Sequence, residues 1–568
     1  MAGQKPLQAQ QQNLPSKTKS ESPHVIDERR SFYYKPNIWK YDYLQSLNSV
    51  YDGKEYKRRA DKLIEDARII FAEADDVLSK LELIDNVKKL GLANHFDVEI
   101  KEALATIAPM NKKNWSLGED PYSTALCFRL LRQHGYDVSH DMFSGFTDEK
   151  MGVFRKSADA NIKAILELLE ASHLALEGEN ILEVVRELST ATLNATLPSL
   201  ESNLSKQVAH ALETPSQQRL EWFDVKWQIN AYEKDRHTNA SLLELAKLNF
   251  NTSQATIQKE LRELSSWWRN LGITENLNFA RDRLVETFMC SVGFACDSQK
   301  KSFRKFLTKV LNLILIIDDV YDIYGTLEEL KHFTNAVNRW DVREIQHLPE
   351  CMKICFLALY DMINEFAEET QKEKGLDQVS VPHLKKVWTD FCMGLLVEAK
   401  WFNMGYTPSL QEYLSNAWIT SSGSVILVHA FFCIQDEATE EFEAFMLKNQ
   451  DLLYNLSLII RLSNDLGTSA AELQRGDNPS SILCYMREVN VSEEIARKHI
   501  QGMLNKAWKK LNGQCFTLFP TLQSLANIVT NVARVALGLY RHGDGLGDQD
   551  RETRKNIQSL LVEPLMLH

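Results

Sequence analysis

The 568-residue sequence has few of the features that favour β structure or a metal held by cysteines. Glycine (23) and proline (14) are infrequent for this length, and Asn-Gly hairpin pairs and alternating apolar stretches are scarce. The nine cysteines are scattered and include no Cys-x-x-Cys pair. These absences argue against a sheet and against a structural zinc site, and they favour free thiols in a reducing compartment.

An excess of positive charge and long apolar runs are also missing. Lysine and arginine number 65 against 77 acidic residues, which gives a net charge of −12. Because an acidic chain offers little basic surface to a polyanion, we expect no nucleic-acid partner. The longest apolar run, residues 310–317, is well short of the roughly 18 residues of a membrane-spanning helix, so no membrane span is expected.

What the sequence does contain is helical periodicity. From about residue 55 onward, apolar residues recur at intervals of three and four while charged residues occupy the other face, which predicts an all-α protein. The chain is several times longer than one ordinary core requires, so we expect two helical domains. Thr214-Pro215 and a later polar cluster place the boundary near residue 235, giving domains of 29–235 and 236–568.

Residues 1–28 form a polar stretch rich in Gln, Ser, Lys and Pro. Such a composition cannot bury enough apolar surface to fold, which predicts a disordered tail. A plastid transit peptide is the alternative, because the first twenty residues contain lysines and no acids. The tail is short, Gln-rich and without arginine before Arg29, so we favour a cytoplasmic location over the plastid.

Three aspartates follow a run of aliphatic residues in LNLILIIDDVYDIYG, residues 311–325. On a helix Asp318 and Asp322 are one turn apart on one face, whereas Asp319 points about 100° away. A divalent cation would remove the repulsion between the two acids, and Mg²⁺ shared with phosphate oxygens suits such hard ligands. The alternative is a solvated helix end whose acids happen to be adjacent.

A second set of oxygen donors lies downstream. Asn464, Thr468 and Glu472 are spaced by four residues and line up on one helical face behind another apolar run. The alternative is that Asn464 or Asp465 caps a helix starting at Leu466, with Thr468 bonded back to the chain. Two such sets in one domain indicate a cavity in which a diphosphate is held between two metal-bearing walls.

These motifs resemble those of the plant class I terpene synthase family. Residues 318–322 match its DDxxD motif, and residues 464–472 match its second metal motif, (N/D)Dxx(S/T)xxxE. Residues 281–283 match the RxR motif, and Arg29-Arg30, followed by eight residues and then Trp39, matches the RRx8W motif. The four motifs occur in the family's order, and the resemblance extends from residue 29 to the C-terminus.

The resemblance implies an N-terminal relic α-barrel and a C-terminal class I helical bundle. It implies three Mg²⁺ ions, for which Mn²⁺ can substitute. Asp318 and Asp322 would bind two of the ions, and Asn464, Thr468 and Glu472 would bind the third. The first half contains no DxDD motif, so chemistry initiated by protonation is not expected.

The family pattern also assigns the groups around the diphosphate. Arg281, Arg283 and Arg461 would grip it, because guanidinium forks suit phosphate oxygens and stabilise the leaving group. Asp319 and Asp465 would lie behind the metal ligands. For the arginines, the alternative is ordinary surface salt bridging.

Ionisation leaves an allylic cation that water would quench, so the pocket must be dry, apolar and aromatic. In the family pattern Trp268 lies at the pocket floor and Tyr540 comes from a late helix, although each could be an ordinary core aromatic. Residues 420–424 resemble a helix break beside the active site, for which a plain kink is the alternative.

Two segments are expected to cover the site. The N-terminal strand with Arg29, Arg30 and Trp39 would fold back over the closed cavity and help to exclude solvent. A polar, glycine-containing segment with Arg541, His542 and Asp544 resembles a mobile lid loop.

Some stretches, among them FDVKWQINAYEKD and DDVYDIYG, are most similar to the α-farnesene synthase branch of the family. That branch removes a proton from the farnesyl cation without cyclising it, which implies an acyclic sesquiterpene product, (E,E)-α-farnesene, from farnesyl diphosphate. Closely similar enzymes make β-ocimene from geranyl diphosphate. Pattern alone does not separate these outcomes, because the product depends on pocket contour at the scale of single methyl groups.

One position departs from the pattern. Many relatives carry a lysine where this chain has Ser480, so a bound K⁺ is expected to supply the missing charge; the alternative is an unfilled deficit. Two rival functions remain, an inactive helical prenyl-binding scaffold and a chain-elongating prenyltransferase. The first is weakened by the retained motifs and the second by the absence of a second DDxxD motif. A monomer is expected.

Overall fold

The computed structural model describes residues 34–109, 120–148, 153–154, 161–374, 380–434, 439–475, 480–547 and 551–567. Helices dominate these residues, which confirms the all-α prediction. The helices of the first half are α1 (Tyr41–Ser46), α2 (Lys54–Glu73), α3 (Val77–Lys89), α4 (Asp97–Ile107), α5 (Pro121–Gln133), α6 (Ile162–Ser172), α7 (Asn180–Thr196), α8 (Ser202–Glu213) and α9 (Glu221–Glu233).

The second half is built from longer helices. They are α10 (Ala240–Asn270), α11 (Ile273–Asn276), α12 (Leu284–Phe294), α13 (Lys301–Asp319), α14 (Leu327–Arg339), α15 (Glu350–Lys374), α16 (Ser380–Met404), α17 (Leu410–Thr420), α18 (Gly423–Ile434), α19 (Thr439–Lys448), α20 (Gln450–Arg475), α21 (Ser481–Val489), α22 (Glu493–Tyr540) and α23 (Arg551–Val562). Helix α22 is kinked at Leu522, two residues after Pro520, which cannot continue the hydrogen-bond ladder.

One small departure from the helical prediction occurs in the first half. Residues Thr147–Asp148 and Val153–Phe154 form a two-stranded antiparallel pair, β1 and β2, with Thr147 opposite Phe154. Two residues per strand cannot support a sheet core. The all-α prediction therefore stands.

The two halves are joined through α10. Helix α9 ends at Glu233 and α10 begins at Ala240, which encloses residue 235, but α10 packs against α1 and α2 as well as against the later helices. Three buried amides of α10, those of Asn251, Gln254 and Gln258, donate to carbonyls of the C-terminal segment. The domain boundary near residue 235 stays a prediction.

Among the described residues, one helical stretch is long and apolar enough to cross a membrane. It runs from Leu410 to Ile434, and 72% of its most apolar window is buried inside the protein. The stretch is also interrupted between α17 and α18, where Ser422 has φ of +65°. It is therefore a pair of core helices.

Candidate active site

A cavity of about 380 Å³ opens in the second half of the chain, a volume typical of a small-molecule site. Helices α12, α13, α16, α17, α20 and α22 supply most of its walls. Its apolar lining includes Cys290, Phe294, Leu311, Ile314, Leu315, Ile323, Phe402, Ile426, Ile460, Val532, Val535, Ala536 and Leu539. Its charged or amide lining consists of Arg281, Asp318, Asp322, Glu398, Arg461, Asn464, Asp465, Glu472 and Asp544.

Asp318 and Asp322 both line the cavity, as their spacing predicted. The backbone between them is not a plain α-helix, because residues Val320–Tyr324 form a π-turn closed by a 2.8 Å bond from Gly325 N to the Val320 carbonyl. Such turns are frequent at functional sites. Asp319 is fully buried beside the lining residues, and burial raises its pKa to about 6 although Arg281 opposes the shift.

Arg281 joins the RxR segment to the aspartates. Its backbone N–H donates to Asp319 over 2.7 Å and its guanidinium donates to Asp318 over 2.6 Å. The same guanidinium pairs with Asp319 at 2.9 Å and lies 4.9 Å from the ring centre of Tyr34. Burial works against its charge, yet the carboxylates hold the pKa of Arg281 well above its usual range.

The second wall of the cavity comes from α20. Asn464 and Glu472 line the cavity, and the Thr468 hydroxyl lies between them, donating to Glu472 Oε1 at 2.7 Å and contacting the Asn464 carbonyl at 2.8 Å. The bond to Asn464 is the back-bond of the alternative reading. The other part of that alternative, in which Asn464 or Asp465 caps a new helix, is wrong because α20 is continuous from Gln450 to Arg475.

Arg461 and Asp465 form an ion pair within this wall. Arg461 Nε lies 3.0 Å from Asp465 Oδ1, and the guanidinium also donates to the Asn464 side chain. Asp465 accepts further bonds from the Tyr413 hydroxyl at 3.0 Å and from the Ser481 backbone N–H at 2.9 Å. Asp465 thus ties α17 and α21 to α20 and holds Arg461 at the cavity.

Tyr540, at the end of α22, marks where the two walls meet. Burial raises the pKa of its hydroxyl well above the usual range, Asp544 adds to the shift, and Arg461 and Arg281 both oppose it. Charges from both walls therefore act on one hydroxyl that lines the cavity. Gly467 allows α20 to pack closely against the end of α22, because a Cβ there would lie 2.4 Å from the Tyr540 carbonyl.

The donors present suit a hard divalent cation. Among the described residues, no group of three or more His, Cys, Asp or Glu side chains could enclose a metal unaided. Mg²⁺ binds through one or two carboxylates and completes its shell with water and substrate phosphates, so it does not need such a group. The carboxylate, amide and hydroxyl oxygens of the two walls fit that requirement.

Two residues assigned to the site from sequence lie outside the cavity lining: Trp268 at the pocket floor is corrected, and the diphosphate role of Arg283 stays a prediction. Trp268, a described residue, is fully buried but does not line the cavity; its indole N–H donates to Asp282 at 3.0 Å. Arg283 likewise lies outside the lining, and its guanidinium donates to backbone carbonyls instead of facing the cavity. Helix α12 instead contributes Cys290 and Phe294 to the cavity lining.

The covering segments are placed in part. Arg29 and Arg30 fall outside the described residues. Trp39 is buried and its indole N–H donates to Glu286 at 2.9 Å. In the later loop, Asp544 lines the cavity and accepts from the N–H groups of Leu546 and Gly547, at 3.0 and 2.7 Å. Of the other two residues of that loop, the exposed Arg541 donates to Thr214 in the first half and His542 is exposed, so the lid role stays a prediction.

The comparisons with known proteins agree with this geometry. The model of the terpene synthase family, metal binding domain, matches residues 269–510, and the model of the terpene synthase N-terminal domain matches residues 38–212. The chain belongs to the terpene synthase family. It is 58% identical to (E,E)-alpha-farnesene synthase of Malus domestica over 557 residues, covering 97% of this chain and 96% of that one.

Two further proteins extend the likeness of this terpene synthase. Alpha-farnesene synthase of Ricinus communis is 56% identical over 557 residues, covering 98% of this chain and 99% of the relative. Isoprene synthase from grey poplar leaves (Populus x canescens), in a complex with three Mg²⁺ ions and dimethylallyl-S-thiolodiphosphate, superposes with a TM-score of 0.83. It shares 40% identity and covers 93% of this chain and 99% of its own.

The helix break of this terpene synthase borders the cavity. Thr420, Ser421 and Ser422 all line it, and Ser422 adopts the left-handed φ of +65° that a non-glycine residue rarely takes. The Glu398 carboxylate of α16 accepts from the Thr420 hydroxyl at 2.6 Å and from the Asn416 amide at 3.1 Å. The break thus lies at the cavity, and its functional role stays a prediction.

Ser480 also borders the cavity, where it begins α21. Its hydroxyl caps the helix by accepting from Leu483 N–H at 3.4 Å, and the side chain is buried. A cap explains part of its presence, and the K⁺ assignment stays a prediction.

Sequence reasoning missed several polar lining residues, among them Tyr34, Glu398 and Tyr413. Burial raises the pKa of Glu398 to about 7, while Arg461 opposes the shift. A signal for Glu398 existed, because it falls with the buried Leu395 and Ala399 on one core-facing stripe of α16. An acid at such a position indicates a specific partner or a site.

Proposed function

We propose that this chain converts farnesyl diphosphate to (E,E)-α-farnesene in a Mg²⁺-dependent reaction. The observation that carries the reaction class is the convergence of two oxygen-donor walls, one with Asp318 and Asp322 and one with Asn464 and Glu472, on a single apolar cavity. Arg281 and Arg461 accompany these walls, one on each side. The identity of 58% to an (E,E)-alpha-farnesene synthase carries the product.

The residues divide the work of ionisation. Arg281 and Arg461 face the cavity with fixed guanidinium groups, which suit the oxygens of a diphosphate and the charge that develops on it as the C–O bond breaks. Asp318, Asp322, Asn464, Thr468 and Glu472 would hold the metal ions. Bound Mg²⁺ would neutralise further charge on the departing diphosphate. Asp319 and Asp465 keep the two arginines in place.

The remaining walls protect the cation. Phe294, Phe402 and Tyr540 line the cavity, and aromatic rings can stabilise positive charge without attacking it. Burial raises the pKa of the Cys290 thiol to about 12, so this wall residue is a neutral thiol and not a nucleophilic thiolate. The cavity is thus suited to hold a cation until it loses a proton.

The alternative product is β-ocimene or another monoterpene from geranyl diphosphate. The two substrates differ by one isoprene unit, and the same walls could bind both head groups. A different class of function, an inactive prenyl-binding scaffold, would not need both donor walls together with both arginines. We therefore favour catalysis over the scaffold, and the 58% identity to an (E,E)-alpha-farnesene synthase favours the longer substrate.

A competition assay tests this proposal. Purified enzyme with saturating Mg²⁺ receives farnesyl and geranyl diphosphate at equal concentrations, and the two hydrocarbon products are quantified together. We expect kcat/KM for farnesyl diphosphate to be at least about tenfold higher, since five additional buried carbons contribute several kcal/mol of binding. Preference for geranyl diphosphate would reassign the enzyme to monoterpenes, and no turnover of either substrate would support the scaffold.

We also propose a cytosolic location, where farnesyl diphosphate would be the available substrate, and a monomeric state. The location rests on the Gln-rich composition of residues 1–28. A fluorescent fusion of residues 1–40 should stay in the cytosol of plant cells. Entry of that fusion into plastids would contradict the location and would favour geranyl diphosphate as the substrate.

A further inference from the structure

The side chain of Arg283 is 1% exposed and binds three separate stretches of backbone. Its Nε donates to the Leu546 carbonyl at 2.8 Å, and its Nη2 donates to the carbonyls of Lys35 at 3.0 Å and Gly547 at 3.1 Å. Its Nη1 donates to the carbonyl of Asp282 at 2.9 Å. The planar donor fork is thus committed to carbonyl oxygens, which leaves little of it for a diphosphate.

The bound carbonyls belong to the two segments that cover the cavity. We define the N-terminal segment as residues 34–41 and the C-terminal loop as residues 541–547. Tyr34 of the first segment and Asp544 and Leu546 of the second line the cavity. Arg283 therefore contacts, in each segment, a residue that is next to a lining residue or is one itself.

The rest of the RxR segment also holds the N-terminal segment. Asp282 accepts from Asn37 Nδ2 at 2.9 Å and from the Tyr41 hydroxyl at 2.8 Å. Arg281 lies under the Tyr34 ring, and Glu286, one turn after Asp282, accepts from the Trp39 indole. Of these contacts, those of Arg283 are the ones that link the N-terminal segment to the C-terminal loop.

We propose that Arg283 is a positioning residue that fastens the N-terminal segment and the C-terminal loop to each other over the cavity, and that its role in the reaction is to exclude water. The proposal rests on the proposed function, because water exclusion matters only if a cation forms inside. It reassigns Arg283 from the diphosphate to the cover. Arg281 remains the residue of this motif that faces the substrate.

The product formed when water enters the cavity distinguishes a role of Arg283 in water exclusion from a role in diphosphate binding. If water reaches the allylic cation, its oxygen forms a C–O bond to carbon and one proton leaves to solvent, which yields a prenyl alcohol. In H₂¹⁸O that alcohol carries the label, whereas hydrolysis at phosphorus by a contaminating phosphatase leaves the alcohol unlabelled. The labelled alcohol fraction therefore reports water entry into the cavity.

The test compares Arg283→Met and Arg283→Lys with the unmodified enzyme in H₂¹⁸O with farnesyl diphosphate and Mg²⁺. We expect the labelled alcohol fraction to rise several-fold in Arg283→Met and less in Arg283→Lys, whose ammonium can still reach one or two carbonyls. The inhibition constant of inorganic diphosphate should change by less than about twofold. If Arg283 instead bound the diphosphate, its replacement would raise that inhibition constant by about tenfold or more, because one charge-assisted hydrogen bond would be lost.

A second readout does not depend on activity. Amide hydrogen exchange should accelerate in both residues 34–41 and residues 541–547 when Arg283 is replaced. The matched control is Arg304→Lys, because Arg304 is equally buried but pairs with Glu260 away from both segments. That control should leave exchange in both segments and the alcohol fraction unchanged.

Each outcome decides the proposal. Faster exchange in both segments supports it, even in a protein that turns over no prenyl diphosphate, in which case the proposed function fails and the fastening role of Arg283 stands. Unchanged exchange in both segments, or a tenfold weaker inorganic diphosphate inhibition with an unchanged alcohol fraction, would overturn it.

Discussion

The guanidinium of Arg281 donates to the carboxylate of Asp318 over 2.6 Å and so connects two motifs that are 37 residues apart in the sequence. The contact means that a substitution at Asp318 removes a proposed metal ligand and also the partner of a proposed diphosphate ligand. Asp322 also lines the cavity, within the π-turn that follows Asp319. Asp322 therefore provides a second position at which to test the metal assignment.

Asp322→Ala should abolish turnover while leaving the helical circular dichroism unchanged. The expected loss is about a thousandfold or more, because a metal ion supplies several kcal/mol of charge stabilisation in the transition state. Asp318→Ala should lose at least as much, and Glu472→Ala somewhat less. Calorimetric titration of each variant with Mg²⁺ and inorganic diphosphate checks whether binding is lost with turnover. Near-normal turnover of Asp322→Ala at limiting Mg²⁺ would show that Asp322 is not a ligand.

Gly467→Ala should lower both stability and activity. The added methyl group would lie 2.4 Å from the Tyr540 carbonyl, so α20 and α22 must separate where the two cavity walls meet, at a cost of about 1–3 kcal/mol. The matched control is Gly502→Ala in the same helix as Tyr540, where an added Cβ meets nothing within 4 Å; it should stabilise α22 by up to about 1 kcal/mol. Thermal unfolding and kcat check both variants. A fully active, equally stable Gly467→Ala would contradict the packing argument.

Acid should destabilise the fold through His429. This fully buried ring accepts from the Trp388 indole N–H at 3.2 Å and donates to the Val425 carbonyl at 2.7 Å, so its neutral form is satisfied. Burial lowers the pKa of His429 to about 4 from 6.5.

The unfolded chain therefore binds the proton first, and the stabilisation, fully present above pH 6.5, is lost as the pH falls towards 4. The loss is about 2 kcal/mol at pH 5. Between pH 7.5 and pH 5.0 the melting temperature should fall further in the unmodified chain than in His429→Gln. An equal fall in both would remove His429 from the account.

Added K⁺ should raise the rate at saturating Mg²⁺. Ser480 lines the cavity where a lysine would supply positive charge, and oxygen donors there could hold K⁺ in its place. Ser480→Lys should be active without K⁺ and respond less to it, although losing the cap of α21 should cost about 1 kcal/mol of stability. Ser480→Asn keeps a capping group without charge and should keep the response. Identical rates with and without K⁺ in the unmodified chain would end this interpretation.

The helices and the two donor walls could be predicted from sequence because each depends on local spacing. Apolar residues at intervals of three and four fix which face of α13 and of α20 is buried, and donors in register on that face must lie at its end. Predicting either wall did not require knowing which helix packs against it. The π-turn after Asp319 did not disturb this result, since Asp318 and Asp322 both still line the cavity.

Sequence could not place residues whose surroundings periodicity does not determine. Trp268 lies on a buried face of α10, and a buried face has the same pattern whether it meets a cavity or another side chain. Arg283 immediately precedes α12 and has non-helical backbone angles, φ of −132° and ψ of 36°, so its spacing from Arg281 did not fix where its side chain points. Tyr34 precedes the first helix and belongs to no repeating pattern at all.

The measurement that tests the central claim most directly is the identity of the volatile product. Purified enzyme is incubated with farnesyl diphosphate and Mg²⁺, and the headspace is resolved by gas chromatography with mass detection against authentic standards. The account predicts (E,E)-α-farnesene as the dominant product, absent when Mg²⁺ is chelated and from the Asp322→Ala enzyme. A cyclic sesquiterpene as the dominant product, or the same product in the presence of chelator, would contradict it.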